Sequence, residues 1–163
     1  MGREVRHVPA DWAHPKNEYG HHIPLRDGFT AAVEAWDIGA AKWAEGLRND
    51  WRGGWEPLGP DERDMTYAEW SGERPDPEDY MPDWPAEQRT HYMMYEDTTE
   101  GTPISPAFAS PEELAHWLAA TGASAFGDMT ASYEGWLRVA NGGFALSAVI
   151  VGGNLTSGVD GDL

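Results

Sequence analysis

The stretch from Gly72 to Pro85, GERPDPEDYMPDWP, is the feature that most constrains how this chain can fold. Proline lacks the amide hydrogen that a helix interior or a sheet ladder needs, so neither element can run through the stretch. We predict instead an ordered, extended arm of polyproline-like backbone, pinned by Tyr80, Met81 and Trp84. Residues 73–87 are called the acidic arm.

Hydrophobic periodicity predicts elements on both sides of the arm. Apolar residues that recur at the spacing of one helix face are Val33, Trp36, Ala40, Trp43 and Leu47. This spacing predicts a helix over residues 30–49. A second, short helix is expected over residues 61–70, with Asp61 or Asp64 as its cap. After the arm, residues 90–98, THYMMYEDT, favour a strand.

Local capping and turn signals mark the elements that follow. Residues 110–113, SPEE, are typical of a helix start, with the serine as cap and the second glutamate closing a capping box. This helix is expected to end at Gly122. Another helix is predicted over residues 131–140. The apolar run 144–151, followed by Gly152-Gly153, predicts a hairpin.

These elements predict one small α+β domain over residues 1–163, with a short antiparallel sheet, three or four helices and the Pro-rich acidic arm. A chain of 163 residues has room for one core of ordinary size. Within it we expect an irregular segment and a Trp-rich helix over 1–55, an acidic Pro-rich segment over 56–89, and a strand, two helices and a hairpin over 90–163. The irregular segment is expected to open with a short strand near Val5.

The charge of the chain is strongly negative and unevenly placed. The formal net charge is −17, from 28 acids and 11 bases, and residues 56–100 alone carry 14 acids against 3 bases. Such a surface repels phosphate backbones and anionic membranes, because nucleic-acid affinity depends on Lys and Arg replacing counterions. We therefore expect no direct nucleic-acid binding, no membrane association, and a protein partner with a basic surface.

Cysteine is absent, which removes disulfides, Cys-based zinc sites and thiol nucleophiles and is compatible with a reducing cytoplasm. The N-terminus has no apolar stretch typical of a signal peptide, and no run approaches the ~18 apolar residues of a membrane span. From these features we expect a protein that is neither secreted by a standard signal nor inserted in a membrane.

Five N-terminal side chains, His7, Asp11, His14, His21 and His22, could supply ligands for zinc or another transition metal. They follow no recognised ligand spacing, so the alternative that we favour is structural or solvent-facing histidines. A metal-dependent enzyme that uses these His and Asp residues is kept as an alternative function. We expect no cofactor and identify no catalytic residue.

The arm carboxylates Asp76, Glu78, Asp79 and Asp83 allow three interpretations. They could act as a general acid and base or as calcium or magnesium ligands, they could form a solvated acidic face, or they could bind a basic partner. The loop around Gly101 is rich in Thr and Ser but lacks the nucleophile-elbow and phosphate-loop motifs. It is expected to be a turn.

The nine tryptophans fall into two groups. Those at helical spacing, which we expect in the core, are Trp36, Trp43, Trp117 and Trp136. Those in or beside broken segments are Trp12, Trp51, Trp55, Trp70 and Trp84. A tryptophan of the second group either clamps a loop to the domain or presents an anchor to a partner, because Trp is enriched among interface hot spots.

Several longer segments together resemble a known family. They are HVPADWAHP and YGHHIPL near the start, DPEDYMPDWP in the arm, THYMMYEDTTEGTPISPAFASPEELAHWLAATGASAFG, and YEGWL and SAVIV near the end. The chain resembles a family of small uncharacterised proteins encoded by tailed bacteriophages and prophages, over nearly its whole length. The resemblance implies a phage accessory protein in the cytoplasm of the infected bacterial host, and it carries over no catalytic residue. Some relatives carry Cys pairs that resemble a zinc ribbon, and the absence of Cys here removes that metal role.

The function that we predict is protein–protein interaction through the arm. The residues assigned to partner binding are Asp76, Glu78, Asp79, Tyr80, Met81, Asp83 and Trp84. The acids would steer association and the apolar side chains would supply buried area. The sharpest form of this hypothesis is inhibition of a host defence or nucleic-acid-binding protein, including an anti-CRISPR. The alternative is a minor virion or assembly protein whose acidic surface contacts other phage subunits.

Overall fold

The computed structural model describes residues 2–146 and 148–161 and shows a small α+β fold, as the sequence predicted. The described helices are α1 (Phe29–Ala44), α2 (Tyr67–Ser71), α3 (Pro111–Thr121) and α4 (Tyr133–Gly142). The described strands are β1 (Gly2–Val8), β2 (Leu47–Asn49), β3 (Trp55–Pro57), β4 (His91–Glu96), β5 (Thr102–Pro103), β6 (Phe144–Leu146), β7 (Ala148–Val151) and β8 (Asn154–Ser157).

These elements form two compact units. The first unit contains the described residues up to Leu25 and from Trp84 onward, and the second contains Arg26–Asp83. One boundary falls inside the acidic arm, so residues 73–83 belong to the second unit and residues 84–87 to the first. The prediction of one domain over residues 1–163 stays a prediction.

The first unit is built on an antiparallel sheet with the strand order β5-β4-β1-β6. The predicted N-terminal strand, β1, is central because it pairs with both β4 and β6. The helices α3 and α4 pack together. Their apolar residues form the core with the sheet, and Met94, Leu114, Leu118 and Trp136 have no exposed surface. The predicted core position of Trp136 is confirmed.

The start of α3 is close to its prediction. The Ser110 hydroxyl accepts the Glu113 N–H at 3.2 Å, and Pro111 occupies the first helical position. The Glu113 carboxylate accepts the N–H of Ala109 at 3.2 Å, so it stabilises the residue before the cap. The helix ends at Gly122, as predicted, and Gly122 has the left-handed conformation, with φ +65°.

The C-terminal strands differ from prediction in one respect. The predicted single strand over residues 144–151 divides into β6, which pairs with β1, and β7, which pairs with β8. The β7–β8 hairpin turns at Gly152 and Gly153 as predicted, with φ values of +57° and +85° that glycine tolerates. The helix α4 continues to Gly142, past the predicted end at residue 140, and Gly143 caps it with a φ of +88°.

The second unit is organised around α1. This helix ends at Ala44 rather than at residue 49, because Gly46 adopts a φ of +82° and Leu47–Asn49 then forms β2, which pairs with β3. Trp43 is buried, as predicted, and donates its indole N–H to the Met65 carbonyl at 2.9 Å. The apolar spacing that continues to Leu47 therefore extends past the end of the helix.

The cap of α2 also differs from prediction. Thr66, rather than Asp61 or Asp64, is the N-cap, and its hydroxyl accepts the Glu69 N–H at 3.2 Å. The Glu69 carboxylate accepts the Thr66 N–H in return, at 2.7 Å. This reciprocal capping box satisfies two amide groups at the start of a five-residue helix that begins at Tyr67.

Candidate interaction surface

The acidic arm is held in place by its backbone. The Arg26 N–H donates to the Asp79 carbonyl at 2.9 Å, and the Met81 N–H donates to the Arg26 carbonyl at 2.8 Å. Residues Pro77–Asp79 form a single 3₁₀ turn, capped by the Asp76 carboxylate, which accepts the Glu78 N–H at 2.9 Å. The arm in the second unit is therefore an ordered segment with fixed backbone, in agreement with the sequence prediction.

The three apolar side chains assigned to partner binding are engaged within the chain. Met81 is buried, with 5% of its surface exposed. Tyr80 is half-buried and its ring meets Phe29 edge-on, with centroids 5.4 Å apart. In the first unit, Trp84 packs edge-on against Trp12 at 4.8 Å. These contacts confirm that the three side chains pin the arm, and they correct the expectation that Met81 offers surface to a partner.

The four assigned carboxylates, in contrast, are exposed. Asp83 accepts the Thr30 hydroxyl at 2.6 Å. In the part of the chain that the structure describes, no lysine or arginine forms a salt bridge with Asp76, Glu78 or Asp79. The negative charge of Asp76, Glu78 and Asp79 is therefore directed at solvent and is not cancelled by a salt bridge with a neighbouring lysine or arginine.

The whole second unit shares this imbalance. Residues 26–83 carry 15 acidic and 6 basic side chains, a formal charge of −9. Several of the basic side chains form salt bridges with acidic side chains of the same unit. Arg74 donates to both Asp37 carboxylate oxygens, at 2.9 and 3.0 Å, and these hydrogen bonds hold the pKa of Asp37 below its usual range. The residual field of the unit is negative.

Trp51 is the most exposed of the aromatic side chains in the second unit that the structure describes, with 78% of its surface accessible. It has a φ of +63°, a conformation that bulky side chains rarely adopt. Trp51 lies in the turn between β2 and β3, residues 50–54, which we call the Trp51 loop. A bulky residue in this conformation persists only where its surroundings fix it.

Side-chain hydrogen bonds fix the Trp51 loop. The Asn49 amide oxygen accepts the Trp51 N–H at 2.6 Å. The Asp50 carboxylate accepts the N–H groups of Arg52 and Gly54, both at 2.8 Å. These two backbone bonds hold the pKa of Asp50 below its ordinary value. The loop is thus a set of Asx turns that stay closed while the carboxylate is ionised.

Trp51 packs against a row of other aromatic rings. Its ring stacks on Trp70 with centroids 5.9 Å apart, and Trp70 in turn contacts the buried Trp43 at 5.1 Å. Trp55, on the neighbouring strand, is 39% exposed, and the Lys42 ammonium lies 5.9 Å from its ring centroid. The row connects an exposed indole to the interior of the unit.

The tryptophan predictions are resolved by these contacts. Trp36 and Trp117, expected in the core, are half-buried, and Trp70 acts as a clamp between two other rings. Trp51 presents most of its ring to solvent. The run NDWRGG at residues 49–54 contains the signal for this loop, because Asn-Asp before and Gly-Gly after a residue favour a tight turn. Trp51 is not among the residues assigned to partner binding from the sequence.

The N-terminal metal candidates are not assembled into a site. His7 is exposed on β1 and meets Tyr92 edge-on, while Asp11 and His21 are exposed in the following segment. His14 and His22 contact each other, with ring centroids 5.6 Å apart. Among residues 2–146 and 148–161, no three His, Asp or Glu side chains come close enough together to hold a metal ion.

Both nitrogens of His14 are occupied. Nε2 lies 2.6 Å from the Ile23 carbonyl, which can only accept, so Nε2 carries the hydrogen. Nδ1 then accepts from the Tyr95 hydroxyl at 3.0 Å, and that hydroxyl accepts the Trp12 indole N–H at 3.1 Å. Burial lowers the pKa of His14, so the ring is neutral at pH 7. His14 thus fastens the N-terminal segment to β4.

The loop around Gly101 has the structural role expected of it. The Ser105 hydroxyl accepts the Met94 N–H and donates to the Pro106 carbonyl, each at 2.8 Å. Gly101 has a φ of +105°, and its carbonyl accepts the Leu25 N–H at 3.0 Å. Both groups hold the chain as it passes from β4 through β5 toward α3.

Within the described residues, every helix is too short or too polar to cross a membrane. Comparison of this chain with protein-family models, with curated proteins and with solved structures finds no match.

Proposed function

We propose that this chain is an interaction protein that binds a basic surface of another protein, with the Trp51 loop as its contact anchor and the acidic arm as the source of attraction. The observation that carries the proposal is Trp51 itself. An exposed indole held at positive φ by Asn49 and Asp50 has no role in the core, and strained backbone of this kind is concentrated at functional sites.

The energetics of Trp51 favour an anchor role. A non-glycine residue in the left-handed region costs about 1–2 kcal/mol. Burying the exposed part of a Trp ring, roughly 200 Å², would return at most about 5 kcal/mol at ~25 cal/mol/Å². Because the loop is already fixed, little conformational entropy is lost when a partner covers it.

The charge of the second unit sets the chemistry of the partner. A unit with a formal charge of −9 attracts a positive surface and repels a negative one. Asp83, the last arm residue that belongs to the second unit, contacts Thr30 near the start of α1, whereas Trp55 contacts Lys42 near the end of that helix. The twelve-residue separation from Thr30 to Lys42 spans about 18 Å of helix. This length is smaller than the width of a standard interface, which covers about 800 Å² on each partner.

The resemblance to tailed-phage proteins supports a bacterial partner. Nucleic-acid-binding and defence proteins of the host carry basic surfaces that neutralise phosphates. An acidic protein that occupies such a surface would compete with the nucleic acid, so the form of the proposal that we favour is an inhibitor of a host defence or nucleic-acid-binding protein, similar in action to an anti-CRISPR.

The test is affinity capture from a bacterial lysate with two matched pairs of variant baits and with wild type at two salt concentrations. Trp51→Ala is paired with Tyr19→Ala, since Tyr19 is comparably exposed (76%) and lies in the first unit. Wild-type protein is captured at low and at high salt.

The charge pair removes three exposed acids from either unit. Asp76→Asn, Glu78→Gln and Asp79→Asn are combined in one variant, and Asn still caps the 3₁₀ turn at position 76. The control combines Asp11→Asn, Glu18→Gln and Asp128→Asn, which remove the same charge from exposed positions of the first unit.

We expect a basic protein that wild type and both controls retain, that Trp51→Ala loses, and that the arm variant and high salt release. A change of 2 kcal/mol or more at a hot spot lowers affinity by about 30-fold. A captured partner that Trp51→Ala retains, or that both charge variants release equally, contradicts the proposal.

A further inference from the structure

The first unit contains a cleft of about 610 Å³ that the interaction surface does not use. One wall is the N-terminal segment, with Trp12, Lys16 and His22. Met93 on β4, Trp117 on α3 and the loop over residues 103–107 also line the cleft. Volumes of 300–1,000 Å³ are typical of sites that bury a small organic molecule.

The charge of this cleft is opposite to that of the chain. None of the acidic residues that the structure describes lines it. Lys16 is the permanently charged residue in its lining, and among the residues that the structure describes Lys16 forms no salt bridge. In a protein so rich in carboxylates, a cleft that offers an ammonium group and excludes acids selects negative ligands.

Two polar residues of the lining, Lys16 and His22, come from the same segment of the chain. Lys16 and His22 are directly paired across a small antiparallel bridge, so their side chains belong to one short hairpin. Partial burial, followed by the positive charge of Lys16, lowers the pKa of His22, which leaves a neutral imidazole at pH 7. A neutral imidazole can donate a hydrogen bond to a carboxylate while Lys16 supplies the charge.

Most of the remaining lining is apolar. Met93, Ile104 and Trp117 provide hydrophobic surface. The Trp12 and His14 side chains are locked through the buried Tyr95 hydroxyl, with hydrogen bonds of 3.1 and 3.0 Å. Because these rings are fixed before a ligand arrives, the cleft requires little ordering on binding.

We propose that this cleft binds a small organic anion that joins a carboxylate to a flat apolar body. The carboxylate lies against Lys16 and His22, and the apolar body lies against Met93, Ile104 and Trp117. This site belongs to the first unit and does not depend on the interaction proposed for the second.

The experiment uses a pair of probes that differ in charge, naphthalene-2-acetate and naphthalene-2-acetamide. Binding to the full chain is followed by NMR after reductive methylation with ¹³C-formaldehyde, which preserves the positive charge of lysine. The chain contains two lysines, Lys16 and Lys42. Lys42 lies in the second unit, so its signal is an internal control.

We expect the carboxylate to shift the Lys16 signal and leave the Lys42 signal in place, and to bind about tenfold more tightly than the amide. Lys16→Gln should reduce the affinity for the carboxylate to that for the amide, whereas Lys42→Gln should leave both affinities unchanged. Equal binding of the two probes, an unmoved Lys16 signal, or no binding of the carboxylate at concentrations on the order of millimolar would overturn the proposal.

Discussion

Substitution of Gly101 by alanine tests whether the contact between the Gly101 loop and the end of the N-terminal segment stabilises the first unit. A Cβ atom on Gly101 would overlap the Leu25 carbonyl oxygen and would lie 2.7 Å from Nη2 of Arg6. That carbonyl accepts a hydrogen bond from the buried Arg6 guanidinium at 2.6 Å. The substitution therefore strains the backbone and displaces the acceptor of a buried cation.

The magnitude follows from these two effects. A non-glycine residue at positive φ costs about 1–2 kcal/mol, and loss of a hydrogen bond to a charged group costs about 1.5–3 kcal/mol. We expect Gly101→Ala to lower the free energy of unfolding by about 3–5 kcal/mol, equivalent to a fall in melting temperature of about 10 °C for a chain of this size.

Gly20→Ala is the matched control. Gly20 also has a positive φ, +78°, but no atom lies within 4 Å of the position that its Cβ would take. In Gly20→Ala only the cost of a non-glycine residue at positive φ applies, about 1–2 kcal/mol. Urea unfolding followed by tryptophan fluorescence measures both variants, and an unchanged m-value shows that the states compared are the same. Equal destabilisation of the two variants would refute the role assigned to the Leu25 carbonyl.

Three further predictions concern single side chains. Ser110→Ala should lower the free energy of unfolding by about 1 kcal/mol in urea titrations, because the α3 cap is lost; an effect below about 0.3 kcal/mol would show that the cap contributes nothing. His14 has a lowered pKa in the folded state, so stability should be constant above pH ~6.5 and should fall as pH drops below that value toward the folded pKa. The slope should be smaller in His14→Gln, and equal slopes in wild type and His14→Gln would contradict this account. Trp51→Gly should raise the melting temperature or leave it unchanged, because it removes strain of about 1–2 kcal/mol; a loss of stability greater than about 1 kcal/mol would show that Trp51 serves the fold.

Local chemistry explains which elements could be predicted. The Ser110 cap, the left-handed Gly122 and the Gly152-Gly153 turn are signals contained within a few residues, and the structure has all of them. The predicted end of α1 was wrong because the apolar spacing continues through Leu47, whereas Gly46 adopts a conformation that stops the helix. A single left-handed glycine outweighs a continuing hydrophobic pattern.

Long-range pairing explains what could not be predicted. The sheet of the first unit joins β1 to β4 through pairs such as Val5 with Met94, and no spacing in the sequence reveals that partnership. Along the sequence, the residues of the second unit lie between these two strands. Its arm was identified from composition, but composition does not show that Met81 faces inward or that Trp51 is held outward by turn geometry.

The most direct test of the interaction account is hydrogen exchange on the chain with and without its captured partner. The account predicts slower exchange in the partner complex at residues 50–56 and 73–83, because the Trp51 loop and the arm are then covered. Amides of the β1–β4 ladder in the first unit should exchange at the same rate in both states. Slowed exchange confined to the first unit, with no change around Trp51, would contradict it.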